Sequence, residues 1–399
     1  MKYVVILGDG WADYPDENGQ TPLTLANKPN IDAIAAKSLC GLCKTVPDGM
    51  KPGSDVANMS VMGYDPKKYY TGRSPLEAAS IGIELSGADV TYRCNLVTLS
   101  GDGQYESLTM KDYSAGEIDS ETASALIAEL KEKLVMPEGW ELYPGVSYRH
   151  CLVLRSSTTG AELTPPHDIL DRPIADYLPS GKHAKALLDF QKQSMEILKA
   201  SPINKERVKA GKNTANSCWL WGEGTKPAFT EFEKLYGIKG AVISAVDLVK
   251  GIGLVAGMDS IDVEGACGTI HTNFPGKTAA VLDAIKDHDF VYVHMEAPDE
   301  CGHQGDKAGK IRSIELIDEL VVRPIYEEMT RRGERFKLLI TPDHPTPLAL
   351  RTHVSDPVPF IIYDSGKDVH GASYSEHGVC STRVLFNSGV EMFEEFLKK

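Results

Sequence analysis

Asp299 and His303 stand four residues apart in APDECGH, directly after the apolar run Phe290-Val291-Tyr292-Val293. If a helical turn begins there, both side chains leave from one face. A carboxylate and an imidazole at that spacing are what a divalent metal needs from one segment. For an isolated pair, an N-cap Asp and a surface His is the plain alternative. The arrangement recurs, however. The run YVVIL (3–7) ends in Gly8-Asp9-Gly10, and KLLIT (337–341) ends in Pro342-Asp343-His344, with His353 one short loop later. Three apolar segments thus run into Asp, or into Asp and His.

Ser54 is a candidate of another kind. In KPGSDVANMSVMG (51–63), Pro and Gly break the chain before Val56 and Met59 recur at helical spacing. That puts the hydroxyl at a helix N-terminus, either as a cap or as a group whose alkoxide or phosphate ester the helix dipole would stabilise. All the donors are oxygen or nitrogen, which favours Mn2+, Zn2+ or Mg2+ over iron–sulfur or copper chemistry. Seven ligands, Ser54 included, are too many for one tetrahedral ion and suit two. Two ions about 3.5–4 Å apart clamp the attacking and leaving oxygens of an in-line phosphoryl transfer.

Such a site needs strands that finish side by side. YVVIL, FVYV and KLLIT are continuous apolar runs with little alternation, as in a parallel sheet covered on both faces, and α/β sheets place their chemistry at the carboxyl edge. The spacing predicts helices over 30–39, 121–134, 183–200 and 311–329, and further strands over 240–245 and 358–363. The texture changes after TGRSPLEAASIGIEL. An inserted α+β domain is expected at 89–210, leaving a discontinuous core of 1–88 and 211–399. The insertion carries Arg93, Arg149 and His150 inside apolar strands, where a charge usually has a partner.

Composition narrows the class. The 399 residues are 42% hydrophobic and 25% charged with a net charge of -14, which argues against nucleic acid or an anionic membrane as partner. No apolar run approaches a membrane span, and eight scattered cysteines suggest no disulfide framework, hence a cytoplasmic protein. A small phosphorylated metabolite is the expected partner, to a monomer or small homo-oligomer. Cys40 and Cys43 form a CxxC without a second ligand pair and are read as ordinary thiols. GDGWAD lacks the third glycine of a dinucleotide fingerprint, and GDKAGK (305–310) lacks P-loop spacing.

Taken together, Asp9, PGS at 52–54, DxxxH at 299–303, DH at 343–344 and His353 resemble the alkaline phosphatase superfamily. The blocks GDGWAD, TGRSPLEAASIGIEL, SYRH, WLWGEG, SAVDLVKGIG, APDECGHQGD and HVSDPVPF are more narrowly similar to archaeal-type cofactor-independent phosphoglycerate mutases. The resemblance covers nearly the whole chain. It implies an α/β core with a mostly parallel sheet, one metal held by Asp299, His303 and His353, and a second held by Asp9, Asp343, His344 and the Ser54 oxygen. It also implies that Ser54 is the nucleophile converting 3-phosphoglycerate to 2-phosphoglycerate through a phosphoserine, without 2,3-bisphosphoglycerate. Arg93, Arg149, His150, Lys250, Arg73 and Glu296 are the expected substrate contacts.

Two blocks depart from that pattern. His294-Met295-Glu296-Ala297 has Glu where the family usually has Lys, and TPDHPTP (341–347) replaces SDHSTP. A sister branch with such features is proposed to phosphorylate homoserine, whose ammonium Glu296 could meet. A phosphohydrolase or a non-catalytic metal-binding scaffold would use the same residues differently.

Overall fold

The computed structural model describes residues 1–367 and 369–399. They form two compact units, Met1–Tyr70 with Ala228–Lys399, and Thr71–Pro227.

The larger unit is built on an eight-stranded sheet. In chain order its strands are β1 (Lys2–Gly8), β2 (Leu39–Cys43), β3 (Gly240–Ile243), β4 (Asp259–Ile261), β5 (Phe290–Met295), β6 (Phe336–Thr341), β7 (Val358–Asp364) and β8 (Leu385–Phe386). Their spatial order is β4-β3-β5-β1-β6-β7-β2-β8. Every pairing is parallel except those of β7 with β6 and β2, so only β7 runs against the rest. Val4 to Leu7 have no exposed surface, as their unbroken apolar character requires of a central strand covered on both faces.

The three strands singled out in the sequence are neighbours. Leu7 lies opposite His294 on one side and Thr341 on the other. Two residues beyond that row stand Asp9, Glu296 and Asp343. Register alone therefore delivers three acidic residues to one edge of the sheet.

In the smaller unit the long strand Val90–Ser100 pairs antiparallel with Thr109–Asp112, Arg149–Leu154 and Ser217–Thr225. Alternation divides its residues between two layers. Tyr92, Cys94 and Leu96 pack with Leu126, Leu130, Leu187 and Phe190 of two long helices, whereas Val97 and Leu99 pack with Trp219, Trp221 and Ile174. This unit is wider than the expected 89–210. The helix Ser74–Ser80 packs against Val90–Ser100, and Ser217–Thr225 is a full partner in its sheet.

The segment predicted as one helix over 311–329 is three pieces: Lys307–Ile317, a π-turn Asp318–Val322, and Arg323–Arg332. Pro324 lacks the N–H of a regular turn, and the wider turn accommodates it. The helix expected over 30–39 is Pro29–Ala35, and Leu39 already begins β2. All eight cysteines are free, with Cys40 and Cys43 buried. No helix among the described residues is long and apolar enough to cross a membrane.

Candidate metal centre

The Asp299 segment is a helix, Ala297–Gln304, with Pro298 in its first turn. Glu296, not Asp299, occupies the N-cap position. Asp299 is thus free to project with His303 from one face: His303 Nε2 lies 3.3 Å from Asp299 Oδ2. His353 Nε2 comes to 3.3 Å from Asp299 Oδ1 and 2.9 Å from His303 Nε2. Two bare imidazole lone pairs repel at that distance, so a proton or a cation belongs between them. Burial opposes a proton on His303, but its hydrogen bond to Asp299 and that carboxylate's charge raise it to about 9.

The second group gathers around His344. Its Nε2 lies 3.3 Å from Asp343 Oδ2, 3.7 Å from Asp9 Oδ1 and 3.3 Å from Ser54 Oγ. Gly53 is the N-cap of the helix Ser54–Val61, without a side-chain capping bond. Ser54 is therefore the first helical residue, and its hydroxyl is directed at His344. Oxygen and nitrogen atoms of Asp9, Asp343 and His344 converge within 4.8 Å, as do those of Asp299, His344 and His353. His344 stands between the two groups.

Close approach is built into the backbone. At Gly10, with φ +61°, a Cβ would lie 2.5 Å from Asp299 Oδ1 and from Thr346 Oγ1. At Gly302 a Cβ would meet the Thr346 carbonyl at 2.7 Å. A larger residue at either position would push these neighbouring segments apart.

Asp9, Asp299 and Asp343 are all buried. Burial and the neighbouring Asp343 and Asp299 carboxylates push Asp9 well above the ordinary carboxylate range. Burial also resists ionisation of Asp299, but His303, His353 and His344 outweigh it and hold that group well below the range. Among the described residues Asp9 Oδ1 has no hydrogen-bond partner. Clustered buried carboxylates with an orphaned oxygen cost several kcal/mol unless a cation compensates them, so the donor set fits divalent metal ions.

Several residues with a part in the site were not singled out from the sequence. Asn58 Nδ2 donates to Asp343 Oδ2 at 2.8 Å and to the Ser54 carbonyl at 2.9 Å, while Tyr292 Oη donates to Asn58 Oδ1 at 2.6 Å. Its spacing of four from Ser54 was the available signal, since both leave one face of a helix. His294, wholly buried, reaches Asp9 Oδ2 at 2.8 Å through Nε2. Thr346 Oγ1 donates to Asp299 Oδ1.

The expected substrate contacts fall into separate places. In the smaller unit Arg73 Nε donates to Glu77 Oε1 at 2.9 Å, Arg93 pairs with the same oxygen, and both guanidinium groups lie over the Trp221 ring. Arg149 shares their face of the sheet, since it pairs with Asn95 in register. His150 does not. It is opposite Cys94, on the side of the helix-packed layer, where burial lowers it to about 3 and Nδ1 accepts the Gly145 N–H. The alternation of the strand therefore sets it on the opposite face from the arginines. In the larger unit Lys250 pairs with Asp262 at 2.6 Å. Glu296, at the end of β5, packs against Gly268, where a Cβ would lie 2.1 Å from its Oε2.

Residues 35–204 match the family model described as 2,3-bisphosphoglycerate-independent phosphoglycerate mutase. A protein of that name from Methanothrix thermoacetophila is 53% identical, covering 92% of this chain and 91% of its own. A probable one from Geobacter sulfurreducens is 46% identical over the full length of both. The chain belongs to this mutase family. Among solved structures, the cofactor-independent phosphoglycerate mutase of Thermoplasma acidophilum superimposes over 100% of both chains with a TM-score of 0.61 at 25% identity. A Pyrococcus horikoshii protein does so over 99% of this chain and 97% of its own, with a TM-score of 0.79 at 27% identity. Membership in the mutase family does not favour homoserine phosphorylation, despite Glu296.

Proposed function

We infer that this chain interconverts 3-phosphoglycerate and 2-phosphoglycerate by passing the phosphoryl group through Ser54. The observation that carries the mechanism is the position of the Ser54 hydroxyl, first in its helix and 3.3 Å from His344 Nε2 beside the carboxylate cluster.

Asp299, His303 and His353 would hold one divalent ion, and Asp9, Asp343, His344 and Ser54 the other. Mn2+ suits these donors, with Zn2+ and Mg2+ as alternatives. When bound, the ions supply Lewis acidity that lowers the serine pKa and screens charge on the transferring phosphoryl group. The Ser54 oxygen bonds to phosphorus as the bond to the 3-oxygen breaks, and the proton lost by the serine balances the one gained by the glycerate hydroxyl. The 2-hydroxyl then attacks the phosphoserine, and Ser54 recovers its proton. Helix N-terminal N–H groups favour the anionic forms of Ser54 throughout. Asn58 fixes Asp343 and the Ser54 backbone together, so nucleophile and ligand keep their separation.

Arg73, Arg93 and Arg149 are proposed to bind the phosphate and carboxylate of the substrate, to which guanidinium groups are matched in geometry. A cytoplasmic setting is proposed on the strength of eight unpaired cysteines.

Phosphorus NMR tests the reaction. The Mn2+-loaded enzyme given 3-phosphoglycerate should produce 2-phosphoglycerate, and given homoserine with ATP should produce nothing. Free phosphate as the sole product would identify a hydrolase, and phosphohomoserine would restore the sister-branch assignment.

A further inference from the structure

His294 lies inside β5, in register with Leu7, two positions before Glu296. It is wholly buried, and its neighbours account for both ring nitrogens. Nε2 is 2.8 Å from Asp9 Oδ2, and Nδ1 is 3.2 Å from Ser244 Oγ. Ser244, just beyond β3, already accepts the N–H of Val246 at 2.9 Å. Its hydroxyl proton is therefore available to Nδ1. Lys277 Nζ, fully buried, donates to the His294 carbonyl at 3.0 Å.

This chain of bonds has one consistent direction. With a cation bound the Asp9 carboxylate is ionised and only accepts, so Nε2 then carries the imidazole proton; Nδ1 is an acceptor and takes the proton of Ser244. The two oxygens of Asp9 are consequently unequal. Oδ2 is engaged by His294, whereas Oδ1 is buried with no hydrogen-bond partner among the described residues and lies 3.7 Å from His344 Nε2.

The geometry points to His294 as a positioning residue that, held by Ser244 and Lys277, occupies one oxygen of Asp9 and leaves the other as the single oxygen offered to a metal ion. The inference rests on the metal reading above. It assigns roles to three residues that belong to neither proposed ligand set. Outer partners of this kind fix the orientation and basicity of the ligand they touch, and losing one typically weakens metal affinity 10–100-fold.

The test measures Mn2+ binding by calorimetry and by electron paramagnetic resonance on the full chain, together with the melting temperature of the ion-free protein. His294→Gln can retain a donor near the Nε2 position, and His294→Leu cannot. Wild type should take up two ions. His294→Leu should bind one of them about 10–100-fold more weakly, and His294→Gln should recover most of that loss. Ser244→Ala, which removes only the hydroxyl that sets the tautomer, should weaken the same ion about tenfold with a melting temperature close to wild type. This second variant decides the matter if His294→Leu does not fold. Equal affinities in wild type and Ser244→Ala, or equal losses in the Leu and Gln variants, would overturn the positioning role and leave the metal site standing. Absence of ion uptake by wild type would overturn both.

Discussion

Lys310→Met is the most demanding perturbation this structure offers. Lys310 is wholly buried, and its ammonium meets three acceptors: Asp13 Oδ2 at 2.7 Å, the Thr346 carbonyl at 2.8 Å and the Ala12 carbonyl at 3.2 Å. Three protons meet three acceptors, and those acceptors belong to the loops after β1 and β6. Methionine fills nearly the same volume without a charge, so the packing loss is small. What remains is a buried Asp13 carboxylate without its cation, a change that costs about 3–5 kcal/mol. Asp13 keeps the N–H groups of Tyr14 at 2.9 Å and Leu348 at 3.2 Å, which argues for the lower half of that range. A loss of about 3–4 kcal/mol should lower the melting temperature of a unit this size by roughly 6–16 °C. Urea unfolding of Lys310→Met, Asp13→Asn and the double variant measures it. The double variant should be more stable than Lys310→Met alone, because no charge is left unpaired. A loss below about 1 kcal/mol in Lys310→Met, or a double variant no better than the single, would refute the assignment of this pair as the tie between the two loops.

Other outcomes follow from the same site. Ser54→Ala should abolish mutase turnover while leaving Mn2+ uptake largely intact, read by phosphorus NMR and calorimetry; full turnover would exclude a phosphoserine. Removing metal with a chelator should stop the reaction and lower the melting temperature, and restoring Mn2+ at a hundred times its dissociation constant should return about 2.7 kcal/mol for each independent ion. In the smaller unit, burial would raise Glu77, but Arg93 and Arg73 outweigh it and hold the group below the ordinary glutamate value of 4.5. A carboxylate depressed on folding contributes stability that is fully present above the unfolded pKa and is lost as pH falls through the folded one. Acid unfolding of this unit should therefore steepen below pH 4.5, and Glu77→Gln should remove that part of the slope. A variant with the wild-type slope would show that the arginines do not hold Glu77 ionised in the folded state.

What was legible in the sequence was whatever a strand end can announce. YVVIL, FVYV and KLLIT each run into candidate ligands, and because a parallel register aligns strand ends, the three sets meet without further information. Ser54 was legible through the Pro-Gly break before it, although its hydroxyl serves His344 instead of capping the helix. His294, Asn58 and Lys310 were hidden for a common reason: a polar residue inside an apolar run or a helix acquires its partner only from a distant segment. His150 stands apart from Arg93 and Arg149 because one strand position separates the two faces of a sheet. The boundaries at 89 and 210 were drawn by texture, and texture does not reveal that the helix Ser74–Ser80 and the strand Ser217–Thr225 pack on Val90–Ser100. Glu296 signalled a different substrate, yet family membership lies with the mutases.

The position of β1 has a consequence for how the molecule is made. Its partners are β5 and β6, with Tyr3 opposite Phe290 and Lys337. At roughly 5–20 residues per second, synthesis leaves this apolar strand without either neighbour for about 15–60 s, long enough for Thr71–Pro227, complete in its own antiparallel pairings, to form first. The strand that leads into Asp9 leaves the ribosome well before its partners, and it must wait for β5 and β6 to acquire its permanent neighbours. Long-range parallel closure of this kind is slow and exposed to misassociation. The edge that gathers the candidate site is thus among the last parts of the protein to exist, and a chain released before β6 would carry Ser54 without the third of the three segments that supply candidate ligands.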